Sequence, residues 1–491
     1  IVAKDHETDD ANGFTVLEFP QGVKIFTIGA STYAIVAGKS GQNFPQQPYD
    51  GVQIIDVTDP TNIVAKDTLT DNQFLELADP IGVETYTLTG THAGTYAIVT
   101  ALFDDGVQII DISDPANIVA KDVGQDDSDN PAFTELQQAT DVDIFTIGSK
   151  TYAIVASVAD DGVQIIDVSN PNNIVASGEL DDCTNDPKRP GGCTAHFLRG
   201  ANSVDTFTLT GEFAGTYAIV TSSFSDGVQI IDVSDPTDIS PTDAETDNVN
   251  GFTVLDGAFG VDTFTVASNS TATYAIVITS GPENGIQMID VSNPTAIVAI
   301  DAETDGNNGF NIMDAPGDVD VFTLGTSTYA IVTSIADDGV QIIDVSNPAN
   351  IVAVDSLVDS GSLELATANG VDTFVIDGNT YAIVTGRDDN GVQIIELSTE
   401  TGFSAVKETP TVELLETLSL SDTISKAADI PLSETISLTD TATGTKDTQT
   451  ITLSETLLFA DTISKAADIS ISETLSMTDT STGVKDTREV T

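Results

Sequence analysis

The chain has 491 residues, of which 77 are acidic and 16 basic, a formal net charge of −61, and it holds no tryptophan. Such a charge repels nucleic acid and anionic membranes, attracts cations, and suits a protein bathed in salt, where self-repulsion is screened within roughly 10 Å. No apolar run is long enough to cross a bilayer, and the absence of an initiator Met and a signal peptide leads us to expect a mature or excised piece.

The chain opens on Ile1-Val2-Ala3-Lys4-Asp5, a strand-like segment without a neighbour of its own. A repeat follows. Thr-Tyr-Ala-Ile-Val recurs seven times, at Tyr33, Tyr96, Tyr152, Tyr217, Tyr274, Tyr329 and Tyr381, with a period that belongs to propellers, solenoids or arrays. In the fourth copy, residues 204–209 and 216–221 are β-branched and aromatic, and each reads as a strand. Ser225-Asp226-Gly227 supplies a tight turn, Val228 to Val233 returns as a third strand, and Asp235-Pro236 ends it. The fourth strand is plainest as Ile63-Val64-Ala65-Lys66 or Ile118-Val119-Ala120-Lys121. Strands two and three are apolar on both sides, as in a blade wedged between two others. The expected fold is all-β, a seven-bladed β-propeller of four-stranded blades over residues 1–400. The seventh copy has no Ile-Val-Ala-Lys strand after residues 391–397, so residues 1–5 are expected to supply it and close the ring.

Connections alternate between the two faces of such a ring, and one face collects acid. The turns between strands two and three carry Asp50, Asp104-Asp105, Asp160-Asp161, Asp226, Glu283, Asp337-Asp338 and Asp388-Asp389. Strand one of six copies is expected to open with a carboxylate, namely Glu84, Asp143, Asp205, Asp262, Asp320 and Asp372, with Lys24 in the first copy. If strand one is innermost, these ring the mouth of a central channel. A crown of carboxylates and carbonyls can offer the six to eight oxygens that calcium wants, so the strand-one carboxylates with Asp104, Asp105, Asp160, Asp161, Asp337 and Asp338 are the candidate metal ligands. The competing role is ordinary: Asp before Gly in a turn, or Asp bonding backbone N–H groups of the neighbouring blade. Strand three also repeats a glutamine (Gln53, Gln108, Gln164, Gln229, Gln287, Gln341, Gln393) and an acid (Asp56, Asp111, Asp167, Asp232, Asp290, Asp344, Glu396). Polar groups in a sandwiched strand need partners, and bonds between blades are the expected ones.

One link breaks the symmetry. It runs from Cys183 to Cys193 and holds both cysteines with Lys188 and Arg189. Their separation in a Pro/Gly-rich loop suggests a disulfide, which stabilises by up to roughly 3 kcal/mol and points to an oxidising setting. Support for nucleophilic chemistry is thin. His6, His92 and His196 fall in three different connections, and no G-x-S-x-G elbow is present.

From residue 401 the chain changes character. Asp422-Thr-Ile-Ser-Lys-Ala-Ala-Asp429 returns as residues 461–468, and Glu-Thr pairs at 416, 434, 455 and 473 open four similar runs. Alternation in residues 434–440 suggests strands, so residues 401–491 are expected to form a repetitive Ser/Thr-rich β-stalk, or an extended tail, that continues into further repeats.

The unit Tyr-Ala-Ile-Val-x-Asp-Asp-Gly-Val-Gln-Ile-Ile-Asp-Val-Ser-Asp-Pro resembles the LVIVD-repeat propeller family over residues 1 to about 398, and the tail is similar to the Ser/Thr-rich "SLSD" repeats of large secreted archaeal surface proteins. The resemblance implies a secreted or surface-displayed propeller and brings no catalytic residues with it. The expected function is an extracellular or cell-surface binding and structural module. Its expected partners are copies of itself (in adhesion or a filament), other surface proteins or glycans, and cations such as calcium, and not nucleic acid. The alternative is a metal-dependent, lactonase-like hydrolase.

Overall fold

The computed structural model describes residues 1–39, 50–72, 75–126, 132–182 and 197–398, with seven short strands between residues 419 and 477. Two compact units result, residues 1–398 and 399–491.

The first unit is an all-β, seven-bladed propeller. Its fourth blade is built from Ala201–Leu209, Gly215–Ser222, Gly227–Asp232 and Ser240–Thr246, each antiparallel to the next. The other six blades repeat this order. Second and third strands are apolar on both faces because both faces are covered. Seven hydrophobic clusters fill the blade interfaces, each drawing on two consecutive blades. Between blades one and two, for example, Ile35, Val52 and Ile54 meet Val83, Ala97, Val99 and Ile110. Each such valine or isoleucine contributes about 1.5–3 kcal/mol by leaving water. Every blade also packs one aromatic pair, stacked in five blades and tilted in two, such as Phe207 on Tyr217 with centroids 5.7 Å apart. The turn between strands two and three reverses through a left-handed residue, at φ 51° for Asp105, 55° for Asp161, 50° for Asp226 and 54° for Asp338. Asp and Asn tolerate that conformation better than most residues.

The ring closes on Val2–Thr8, which pairs antiparallel with Gly391–Leu397 as the outer strand of blade seven. Gln393 Nε2 donates to the Asp5 carbonyl at 2.8 Å, so the strand brought from the other end of the chain is held like its six counterparts.

First strands of consecutive blades pack against one another and line the central channel. They start earlier than the residue pattern suggests, at Pro20, Pro80, Ala139, Ala201, Ala258, Pro316 and Ala368. The early residues do not look strand-like because they answer to the next blade. A Cβ on Gly22 would lie 2.4 Å from the Ile81 carbonyl oxygen, and one on Gly370 would lie 2.4 Å from that of Gln21. Only glycine admits such an approach. The ring carboxylates therefore sit in the middle of the innermost strands, inside the channel rather than at its mouth.

The described part of the second unit consists of short parallel ladders. Ser419, Ser437, Leu458 and Ser476 follow one another in one ladder, and Ile430–Leu432, Thr450–Leu453 and Asp468–Ile471 form the other. Two rungs thus make up one sequence repeat.

Candidate functional site

Seven side chains face one lumen from equivalent positions: Lys24, Glu84, Asp143, Asp205, Asp262, Asp320 and Asp372. Four of the six carboxylates serve the backbone of the next blade. Asp143 accepts the N–H of Thr206 at 2.9 Å, Asp205 that of Thr263 at 2.8 Å, Asp262 that of Val321 at 2.7 Å, and Asp372 that of Ile25 at 2.6 Å across the ring closure. Glu84 takes the N–H of its own neighbour Thr85 and the Lys24 ammonium, both at 2.7 Å. Asp320 is a second exception. The Thr373 N–H donates to Asp372 Oδ1 at 3.0 Å, and although Thr373 also hydrogen-bonds the Asp320 carboxyl, Asp320 Oδ2 is buried without a hydrogen-bond partner.

Two further carboxylates lie in the channel that motif reading missed. Asp141 accepts from the Ser203 hydroxyl at 2.6 Å and the Val204 N–H at 3.0 Å; Asp318 accepts from the Val371 N–H at 2.9 Å. They stand two residues before Asp143 and Asp320, on the same strand face, and that period of two was the available signal.

Burial, with crowding second, sets the protonation of this ring. Burial, followed by repulsion from its neighbours, pushes Asp143 and Asp262 well above the ordinary carboxylate range. Burial raises Asp205 to about 6, Asp372 to about 7 and Asp318 to about 8. Although burial opposes it, the Asp372, Glu84 and Asp320 carboxylates hold the Lys24 ammonium well above the usual lysine value. Lys24 is thus a fixed cation among carboxylates whose protonation is raised by burial.

The acidic hairpins are equally well employed. The first carboxylate of each pair holds the link entering its own blade: Asp104 takes the Ala78 N–H at 2.7 Å, Asp160 that of Gln137 at 2.6 Å, and Asp337 that of Asp314 at 2.9 Å. The second holds the next blade: Asp105 takes the Gln138 N–H at 2.9 Å, Asp161 that of Gly200 at 2.7 Å, and Asp338 that of Thr367 at 2.8 Å. In these hairpins, then, an Asp-Asp-Gly turn works as a two-way clasp. Among the described residues, no three His, Cys, Asp or Glu side chains are grouped to hold one metal ion.

The strand-three residues form bonds other than the blade-to-blade ones expected. Each glutamine fills a bulge, as where Gln229 Nε2 donates to the Asp243 carbonyl of the outer strand at 2.8 Å and its Oε1 accepts the Phe197 N–H of the entering link at 3.3 Å. The acid beside it turns to its own loop, as where Asp56 Oδ1 accepts the Thr58 N–H at 3.0 Å. Contact between outer strands falls instead to an unforeseen aspartate. Asp5, Asp67, Asp122, Asp243 and Asp301 each accept the N–H of the isoleucine that leads into the next outer strand, at 2.7–2.8 Å. Cys183, Cys193 and His196 lie outside the described residues.

Residues 93–122, 149–182 and 329–359 match the LVIVD repeat, so the chain carries LVIVD repeats on a propeller. No curated protein matches the chain. Among solved structures, a functionally unknown protein from Desulfotomaculum acetoxidans is similar at 14% identity, with 72% of this chain and 91% of that one covered and a TM-score of 0.46. The periplasmic gluconolactonase of Pseudomonas aeruginosa is similar at 12% identity, with 67% and 83% covered and a TM-score of 0.45.

Proposed function

We propose that this protein is an extracellular or cell-surface binding and structural module, an acidic propeller that draws cations such as calcium into its channel, rather than an enzyme. One observation carries the reading: Asp143, Asp205, Asp262 and Asp372, at equivalent positions of four blades, each hold a backbone N–H of the next blade. A lactonase-like metal hydrolase needs one blade to depart from the others with a cluster of carboxylate, Asn and His; of the described histidines, His6 stands on the outer strand of blade seven and His92 in a turn of blade two, well apart in the ring. Burial, which raises Asp372 to about 7 and Asp318 to about 8, leaves these carboxyls holding protons near neutral pH, and a divalent ion entering the lumen would displace them. The acidic charge and the repetitive second unit support the parts of this reading that concern surface display, self-association and contact with surface proteins or glycans.

A thermal melt against calcium, with sodium chloride matched for ionic strength and chelator as control, tests this. A midpoint raised by low calcium alone, lost in Asp320→Asn, supports ion uptake by the folded ring. Equal, gentle rises with both salts would reduce the acid to general screening and remove the cation from the proposal.

A further inference from the structure

The strand-three acids provide a comparison inside the molecule, independent of the channel. Their first oxygens behave alike: Asp56, Asp111, Asp167, Asp232, Asp290 and Asp344 each accept the N–H two residues on, at 2.9–3.1 Å. At the second oxygen the blades part. Lys66 reaches Asp56 Oδ2 at 2.9 Å and Lys121 reaches Asp111 Oδ2 at 3.0 Å, both from the outer strand of the same blade. Lys4 meets Glu396 in the same way, and in blade three Lys150 of strand two comes to Asp167 at 2.7 Å. In blades four, five and six the lysine position holds Thr242, Ile300 and Val354. Among the described residues no cation pairs with Asp232, Asp290 or Asp344.

At Asp290 this substitution coincides with a cleft of about 410 Å³ between blades five and six, lined by Tyr274, Asp290, Val298, Ile300, Asn347 and Pro348. Its walls are an aromatic ring and aliphatic side chains, and the carboxylate is its one charged group. In blade one the same positions are Tyr33, Asp56 and Val64, and there Lys66 brings an ammonium to the acid. The cleft therefore has the chemistry of a lysine site whose lysine has become Ile300. It also lies along an open sheet edge, because the outer strand Val298–Thr304 pairs on one side only. Lysine on an edge strand guards it against a further strand, and blades five and six have lost that guard. In its place stand the half-buried Ile300 and Val354, which is 55% exposed.

We propose that this cleft binds the lysine side chain of an extended segment of a partner protein. The ammonium would sit on Asp290 Oδ2 as Lys66 sits on Asp56, the aliphatic stem would lie on Val298 and Ile300, and the partner backbone would run along the free edge of the outer strand. The net charge of −61 favours a basic partner over a second copy of this chain, which carries few lysines.

The test uses the full chain with n-butylamine, which has the atoms of a lysine side chain, and the peptide acetyl-Thr-Val-Lys-Val-Thr-amide, in enough sodium chloride to screen the acidic surface. Isoleucine and valine methyl NMR signals report the site. Saturable shifts confined to Val298, Ile300 and Val352 are expected with both probes, tighter with the peptide, and absent with n-butanol. Asp290→Asn keeps the oxygen that holds the Ser292 N–H, and it should weaken binding by about tenfold or more. Ile300→Lys restores the residue used in blades one and two and should abolish binding by occupying the acid from within. Shifts spread evenly over the acidic surface, equal binding of n-butanol, or undiminished binding by either variant would overturn the proposal. Binding of butylamine without the peptide would overturn the partner and leave a small-amine site.

Discussion

Replacing Lys24 by methionine keeps most of the aliphatic stem and removes the cation from the channel ring. The ammonium lies 2.7 Å from Glu84 Oε2, and its side chain is 35% exposed, with Asp372 and Asp320 also close enough to act on it. Each near pair has a gross Coulomb energy of about 4 kcal/mol at an effective dielectric constant near 20. Desolvation and water in the lumen offset much of this, so the net loss should be about 2–3 kcal/mol. That loss should depend on pH. Lys24 stays charged from pH 5 to 9, because its folded value lies above the ordinary one, so the dependence comes from the carboxylates. At pH 8.5 groups such as Asp205 and Asp372, raised to about 6 and about 7, have lost their protons and need the ammonium. At pH 5.5 they largely keep them, and the variant should lose less than about 1 kcal/mol. Urea denaturation at both pH values, followed by tyrosine fluorescence, measures the difference, and Lys24→Met with Asp372→Asn should recover part of the loss at pH 8.5. Equal losses at the two pH values would mean that Lys24 acts by packing alone.

Asp318, raised to about 8 mainly by burial, favours the fold while protonated; that contribution is present below the ordinary carboxylate range and is lost as pH rises through about 8. Asp318→Asn should therefore gain about 1 kcal/mol over the parent at pH 5 and a few kcal/mol at pH 9, at about 1.4 kcal/mol per unit of pKa less what lumen water returns; a denaturation midpoint whose gain is flat with pH would count against it. Gln229→Ala strips a buried clamp of both its acceptor and its donor and should cost about 2–4 kcal/mol in urea denaturation, where a loss under about 0.5 would refute the clamp. Asp338→Asn should leave the melting midpoint nearly unchanged, because asparagine tolerates the left-handed turn and still accepts the Thr367 N–H. Asp338→Ala should lose about 1–3 kcal/mol, and equal stability of the two would refute the clasp.

Much of the ring can be read from the sequence because its signals are local. The seven tyrosines, the Asp-Gly turns and the segment at residues 1–5 each follow from strand period or turn chemistry. The site was less legible because partner geometry decides it. Gly22 and Gly370 belong to strands, yet the contact that requires glycine is with the next blade, so the strands seemed to start later and the carboxylates seemed to lie at the mouth. Asp141 and Asp318 were missed because they occur in two blades and escape a search for recurrence. Gln229 was recognised as needing partners, but no pattern could reveal that a bulge of the outer strand would supply them. The idle second oxygen of Asp290 became visible only when its blade was compared with those carrying Lys66 and Lys121.

The seam between Val2–Thr8 and Gly391–Leu397 has a mechanical meaning. Val2 lies opposite Glu396 and Thr8 opposite Gly391, so the chain enters and leaves at the same end of one antiparallel ladder. A pull between residues 1 and 398 loads its hydrogen bonds one after another: first the pair at Val2 and Glu396, then the ion pair of Lys4, then the clamp of Gln393. The other six outer strands are joined to their blades by covalent loops and feel no such peeling. Tension applied there opens the ring as a zipper at its seventh blade, and the rest of the propeller bears load only after that seam has parted.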